Sequence, residues 1–227
     1  MNENMCMPLI GDVAPEFVAS TTNGVIKFPN DFRGKWVVLF SHPSDFTPVC
    51  TTEFIEFQQN MADFKRMNTV LIGLSVGSLP SHLAWLDSMS KMQHGAVIEF
   101  PLIDDLDKNI AKKYGMIHAG VSDTHAVRAV FIIDSNAKIR AILYYPAVLG
   151  RNINEIKRMV MGLQVVDRFG VALPVNWAVG DDVIVPAPTK FNEVQKNIKQ
   201  NPWFLSLKKL TKKEIDEKIY KQHIRKK

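Results

Sequence analysis

The run Trp36-Val37-Val38-Leu39-Phe40 constrains the fold more than any other stretch of the chain. A continuous apolar, β-branched segment does not alternate between core and water, so it reads as a strand buried on both faces. Such a strand needs helices on each side of its sheet. From Thr51 the period changes: Phe54, Phe57, Met61, Phe64 and Met67 recur every three or four residues and predict one core-facing helical stripe. Thr69 to Val76 predicts a second buried strand, and Ser81 to Met92 a helix. A short strand around Pro101 to Ile103 precedes a helix with Asp107 as N-cap and Gly115 as its stop.

Val127 to Asp134 and Ile139 to Tyr145 flank Ser135-Asn136-Ala137-Lys138, which is hairpin chemistry. A helix from Asn152 to about Arg168 follows, with Asn152 and Glu155 spaced as a capping box. This order implies an α/β sandwich with a mixed sheet, one domain over residues 1–168. Beyond it, Pro174, Pro186, Pro188 and Pro202 punctuate a stretch of little periodicity. A last helix starts at Thr211, where Thr211 and Glu214 form a second capping box. Residues 169–227 hold too few core positions to fold alone, so they pack on the first domain or on another subunit.

Composition narrows the function classes. With 46% hydrophobic and 22% charged residues the chain is an ordinary globular protein, and no apolar run reaches membrane-spanning length. Met1-Asn2-Glu3-Asn4 lacks the basic start of a signal peptide, so a cytoplasmic location is the expectation. The net charge of +5 owes much to lysines from Lys208 onward, which read as a solvated helix face and not as a nucleic-acid or membrane surface. Cys6 and Cys50 are the two cysteines, and no CxxC pair is present for zinc or for dithiol exchange.

Cys50 lies in His42-Pro43-Ser44-Asp45-Phe46-Thr47-Pro48-Val49-Cys50-Thr51-Thr52-Glu53, between the buried strand and the long helix. There the free N–H groups and the positive end of the helix dipole favour a thiolate. Pro43 and Pro48 stiffen the loop, and Thr47 can offer a hydroxyl on the same surface. Arg128 falls on a predicted buried strand, where a guanidinium without a partner is very unfavourable. A carboxylate such as Glu53 and a thiolate can share it.

Pro43-x-x-x-Thr47-x-x-Cys50 resembles the peroxiredoxin signature, and the fuller string from Ser41 to Glu53 is similar to its 1-Cys branch. Arg128 to Asp134 agrees, as do Tyr144-Tyr145-Pro146 with Gly150-Arg151-Asn152, and Pro174-Val175-Asn176-Trp177 with Gly180-Asp181. The resemblance implies a thioredoxin-like fold with a C-terminal dimerisation arm over residues 169–227. It implies a peroxidase acting on hydrogen peroxide and organic hydroperoxides without metal or organic cofactor. The peroxidatic cysteine would be Cys50, the substrate-orienting threonine Thr47, the shielding proline Pro43 and the essential arginine Arg128. Arg151 and Glu53 would support that arginine, and His42 would adjoin the substrate.

The sulfenic acid left on Cys50 would be reduced by an external thiol, either a thioredoxin-like protein or a small molecule. The assembly implied is a homodimer, open to a decameric ring of dimers. Long archaeal-type relatives carry further cysteines in the arm, whereas here none follows Cys50. Gly77 stands where relatives usually have an aspartate. A peroxide sensor or redox-switched chaperone would use the same cysteine.

Overall fold

The computed structural model describes residues 7–190, 202 and 204–220, which form two compact units, residues 1–153 and 154–227. The first unit is built on a seven-stranded mixed sheet. Its strands are β1 (Phe17–Thr21), β2 (Gly24–Phe28), β3 (Trp36–Ser41), β4 (Thr69–Ser75), β5 (Leu102–Asp104), β6 (Arg128–Ile133) and β7 (Ile139–Tyr145). Their spatial order is β2-β1-β5-β4-β3-β6-β7. β3, β4 and β5 run parallel, and the other neighbours are antiparallel.

β3 is buried at every residue, as its uninterrupted apolar run requires. Val37 and Leu39 join Phe17, Phe28, Ile72, Leu74, Tyr114 and Phe131 in one core layer. Phe40 turns to the other face, where its ring stacks on Phe57 at 4.3 Å and meets Phe54 and Phe100 edge-on. The helical stripe that supplies Phe54 and Phe57 is broken once, into α1 (Pro48–Gln59) and α2 (Met61–Arg66). All five of its apolar residues are nevertheless buried.

Helix boundaries differ from expectation for local reasons. α3 covers Leu79–Ser90, starting two residues early because the Asp104 carboxylate accepts from Leu79 N. α4 covers Asn109–Lys113, and Asp107 is not its N-cap. Lys108 occupies that position with φ 61°, while the Asp105 carboxylate accepts from Ile110 N and Ala111 N. The β1–β2 hairpin is not among the elements expected from periodicity; each strand is only five residues long, and the exposed Val18 and Val25 blur the alternation that would mark it.

The second unit, described by itself, carries most of α5 (Ile153–Phe169), the antiparallel pair β8 (Asp182–Val185) and β9 (Ser206–Lys209), and α6 (Lys212–Ile215). Thr211 and Glu214 form the expected capping box at α6. Trp177 and Val183 are buried, while Val175, Phe204 and Leu205 stay exposed. A Cβ on Gly162 of α5 would come within 2.8 Å of Leu173 Cδ1, so the helix needs glycine there to let this segment approach. The structural division at Ile153 places α5 with the C-terminal residues, whereas periodicity groups it with the sheet.

Candidate active site

β3 delivers the chain to the site, and α1 begins immediately beyond it. Thr47 takes the N-cap position with extended backbone, Pro48 follows inside the first turn, and Cys50 completes that turn. The Cys50 side chain is fully buried. Phe46 adopts φ 56°, a left-handed conformation rarely taken by a bulky residue, so the loop ahead of Thr47 is locally strained. Thr47 Oγ1 does not cap the helix; it donates to Ser44 O at 2.9 Å. Thr47 O accepts from Thr51 N and Thr51 Oγ1.

The antiparallel register brings the arginine to this end of β3. Phe40 pairs with Val130, so Arg128, two residues earlier on β6, lies level with the chain leaving β3. Arg128 Nη1 donates to Cys50 Sγ at 3.2 Å and to Glu53 Oε2 at 2.8 Å. Its Nε and Nη2 both donate to Ala147 O, just past the β7 strand that pairs with β6. Arg151 approaches the same carboxylate from the other side, through Nε to Oε1 at 2.9 Å and Nη2 to Oε2 at 2.6 Å. Its Nη1 donates to Ser41 O and Ala129 O.

Glu53, Arg128 and Arg151 are all buried. One carboxylate between two guanidinium groups leaves a single positive charge, and a thiolate on Cys50 is the group placed to balance it. Burial lowers the Arg151 pKa below the ordinary guanidinium value, against the opposing pull of Glu53.

The structure therefore brings Cys50, Glu53, Arg128 and Arg151 into one hydrogen-bonded network. Thr47 stands one turn ahead of Cys50, and Pro43 is half-buried at the start of the same loop. His42 is engaged elsewhere: its Nε2 faces Asp45 Oδ1 at 3.1 Å, and its buried Nδ1 has no partner among the described residues. Burial holds the His42 pKa below its ordinary value. The Asp45 carboxyl also receives Ser81 Oγ and His82 Nδ1, each at 2.7 Å. Burial alone would raise its pKa, but the His42, His82 and Ser81 hydrogen bonds hold it well below the carboxylate range.

Sequence reasoning missed Asp45, Ser81 and His82, although Asp45 lies inside the quoted motif. Nothing in their spacing links a loop residue to a helix thirty-six positions later. Cys6, Trp203 and the last seven residues lie outside the described residues.

Comparison with known proteins identifies the family. Residues 10–142 match the AhpC/TSA family, and residues 162–201 match the C-terminal domain of 1-Cys peroxiredoxin. A peroxiredoxin of Methanosarcina mazei is 52% identical over 219 residues, covering 91% of this chain and all of that protein. A peroxiredoxin of Aquifex aeolicus is 47% identical over 222 residues, covering 92% and 100%. Among solved structures, a yeast mitochondrial 1-Cys peroxiredoxin superposes with a TM-score of 0.81 at 38% identity, covering 90% of this chain and all of that one. Peroxiredoxin 6 of Arenicola marina gives a TM-score of 0.74 at 35% identity, covering 83% and 88%.

Proposed function

The chain belongs to the AhpC/TSA peroxiredoxin family and is a thiol-dependent peroxidase, and from that premise we propose that Cys50 carries the reaction within the Glu53–Arg128–Arg151 network. The observation that carries this reading is the 3.2 Å hydrogen bond from Arg128 Nη1 to the buried Cys50 sulfur. The thiolate attacks one oxygen of the hydroperoxide. An S–O bond forms, the O–O bond breaks, and the departing oxygen takes up a proton to leave as water or alcohol.

Arg128 donates to the charge that develops along the sulfur–oxygen line, where a fixed, water-excluded donor is most effective. Arg151 acts through Glu53, holding the carboxylate that orients Arg128. Thr47 is assigned to substrate orientation and Pro43 to shielding the sulfur from water; His42, engaged with Asp45, is not assigned to the substrate. Cys50 then stands as a sulfenic acid. One external thiol condenses with it to a mixed disulfide and water, and a second thiol releases the reduced enzyme.

Cys50→Ser should abolish hydroperoxide consumption by the full chain with a small-thiol reductant, while Cys6→Ser should keep most of it. Turnover in the Cys50 variant would remove the assignment. Complete loss in the Cys6 variant would make resolution internal.

Two features support a homodimer. β7 ends the sheet; its first residue, Ile139, exchanges backbone hydrogen bonds with Gly11 and Asp12, while from Ala141 to Tyr145 β6 is its one strand partner among the described residues, an edge suited to pairing with a second copy about a twofold axis. The second unit keeps Val175, Phe204, Leu205 and Leu207 exposed, an apolar surface suited to burial. Trp177 and Val183 do not contribute to it, being covered within the single chain. No helix of the described residues is long and apolar enough to cross a membrane. We place the enzyme in the cytoplasm, where a reducing thiol pool can regenerate Cys50.

A further inference from the structure

Asp45 lies five residues before Cys50, yet the peroxide chemistry above makes no use of it. Its side chain gathers three partners: His42 Nε2 on Oδ1, and Ser81 Oγ and His82 Nδ1 on Oδ2. Ser81 and His82 belong to α3, so this carboxylate fastens the active-site loop to a separate helix. His82 is itself anchored at the back, with Nε2 3.1 Å from Ile103 O on β5. Both nitrogens of that fully buried ring therefore face oxygen atoms, one on the loop and one on the sheet. Asp45 and His82 are thus joined by a short, buried hydrogen bond of 2.7 Å between the loop and α3.

The surrounding packing tightens the same attachment. The His42 ring lies between Phe54, at 4.8 Å, and Trp85, at 5.1 Å. Phe54 is one helical turn beyond Cys50, and Trp85 Nε1 donates to Thr51 Oγ1. The absence of a side chain at position 77 belongs to this arrangement as well. A Cβ on Gly77 would lie 2.9 Å from His82 Cε1, so glycine lets the ring seat against the strand end. Opposing the attachment is Phe46, held at φ 56° between Asp45 and Thr47. Such a residue relaxes if the loop is let go.

The two halves of the catalytic cycle ask opposite things of this loop. Attack on peroxide needs Thr47, Cys50 and Arg128 held in place. Reduction needs an external sulfur to come within a bond length, about 2.05 Å, of a Cys50 sulfur that is fully covered in this arrangement. We propose that Asp45 and His82 are positioning residues that latch the Cys50 loop to α3, raising the rate of peroxide attack and limiting the rate at which thiols reach the sulfenic acid. The proposal rests on the peroxidase reading of Cys50.

The test separates the two half-reactions in the full-length chain by stopped-flow. One measurement follows Cys50 oxidation by hydrogen peroxide through tryptophan fluorescence. The other follows reduction of the pre-formed sulfenic acid by dithiothreitol. Asp45→Asn and His82→Gln should each slow oxidation roughly tenfold, as expected when reacting groups lose their fixed geometry, and should accelerate reduction. A merely structural role would lower both rates together or neither, and either result overturns the latch. If both variants fail to fold, Ser81→Ala removes a single hydrogen bond and should move the two rates in the same opposite directions by a smaller factor. Parallel or absent shifts there also overturn it. A wild-type chain whose Cys50 is not oxidised by peroxide would instead fail the peroxidase reading, and the latch with it.

Discussion

Two buried charge clusters hold the stretch from Ser41 to Cys50, and they are made of different chemistry. Glu53, Arg128 and Arg151 form the first. Its guanidinium donors go to the carboxylate, to three backbone carbonyls and to the sulfur. Arginine keeps its charge at any working pH, so this cluster supplies a permanent field in a fixed fork geometry. The second is His42, Asp45, Ser81 and His82, joined through a single carboxylate and with one bare ring nitrogen. This cluster holds the loop through hydrogen bonds to that carboxylate, with burial keeping the His42 pKa below its ordinary value, and not through permanent guanidinium charges. On the proposed reading the site divides its labour accordingly: arginines set the charge at the sulfur, and histidines set where the loop sits.

The sharpest way to break that division is at its shared anion. Glu53→Gln removes the negative charge between two buried guanidinium groups and leaves them uncompensated. The expected cost is about 3–5 kcal/mol of folding stability, read as a fall in the urea midpoint and nearly the same at pH 6 and pH 8. A loss below about 1 kcal/mol, the value of an exposed pair, would mean the arginines do not depend on Glu53. Arg128→Lys is the next largest. It keeps a charge but gives up the fork that reaches Cys50, Glu53 and Ala147 together, so peroxide oxidation of Cys50 should slow by roughly 10²–10³-fold. An unchanged stopped-flow rate would make Arg128 purely structural.

The first cluster was legible in the sequence and the second was not, for a physical reason. An arginine on a strand as apolar as Ala129 to Ile133 announces a buried partner, because an unpaired charge there is prohibitive. Glu53, on the helix that starts beside the cysteine, is the nearest carboxylate to supply it. Histidine gives no such warning, since a neutral ring is tolerated in a core. The Asp45–His82 contact also depends on how α3 is set against the loop, which periodicity does not encode. The same limit applies to Asp107 and Asp105. Spacing favoured Asp107 as the cap of α4, but the left-handed Lys108 turns the chain so that Asp105 reaches the helix N–H groups. Strand β3 and the Thr211–Glu214 cap were read correctly because each is fixed by neighbours in sequence.

Gly77 offers a milder way to disturb the histidine cluster alone. Gly77→Ala places a methyl group 2.9 Å from His82 Cε1 and must displace the ring. The expected destabilisation is about 1–3 kcal/mol, the usual cost of overfilling a packed site, measured by urea unfolding at pH 7.5. Arg128 and Glu53 are untouched, so the variant should lose less stability than Glu53→Gln. A loss equal to that of Glu53→Gln would show that the clusters are one structural unit and not two.

The smallest effect concerns the pH response that only the histidine cluster should show. Burial holds the folded-state pKa of His42 below its ordinary value, while the unfolded ring titrates near pH 6.5. The unfolded chain therefore binds the proton first as pH falls. Stability from His42 is fully present above about pH 6.5 and is lost as pH drops toward the lowered folded value, at no more than about 1.4 kcal/mol per pH unit. Asp45 has the same sign, but its loss falls below the ordinary carboxylate range and so outside this window. Comparing urea stability at pH 7.5 and 5.5 for the wild type and His42→Asn cancels the shared contributions of the remaining histidines. The wild type should lose about 1 kcal/mol more than the variant over that interval. Equal losses would mean that the folded ring takes up its proton as readily as the unfolded one. His42 would then contribute no pH dependence to stability, and the contrast between the two clusters in this response would fail.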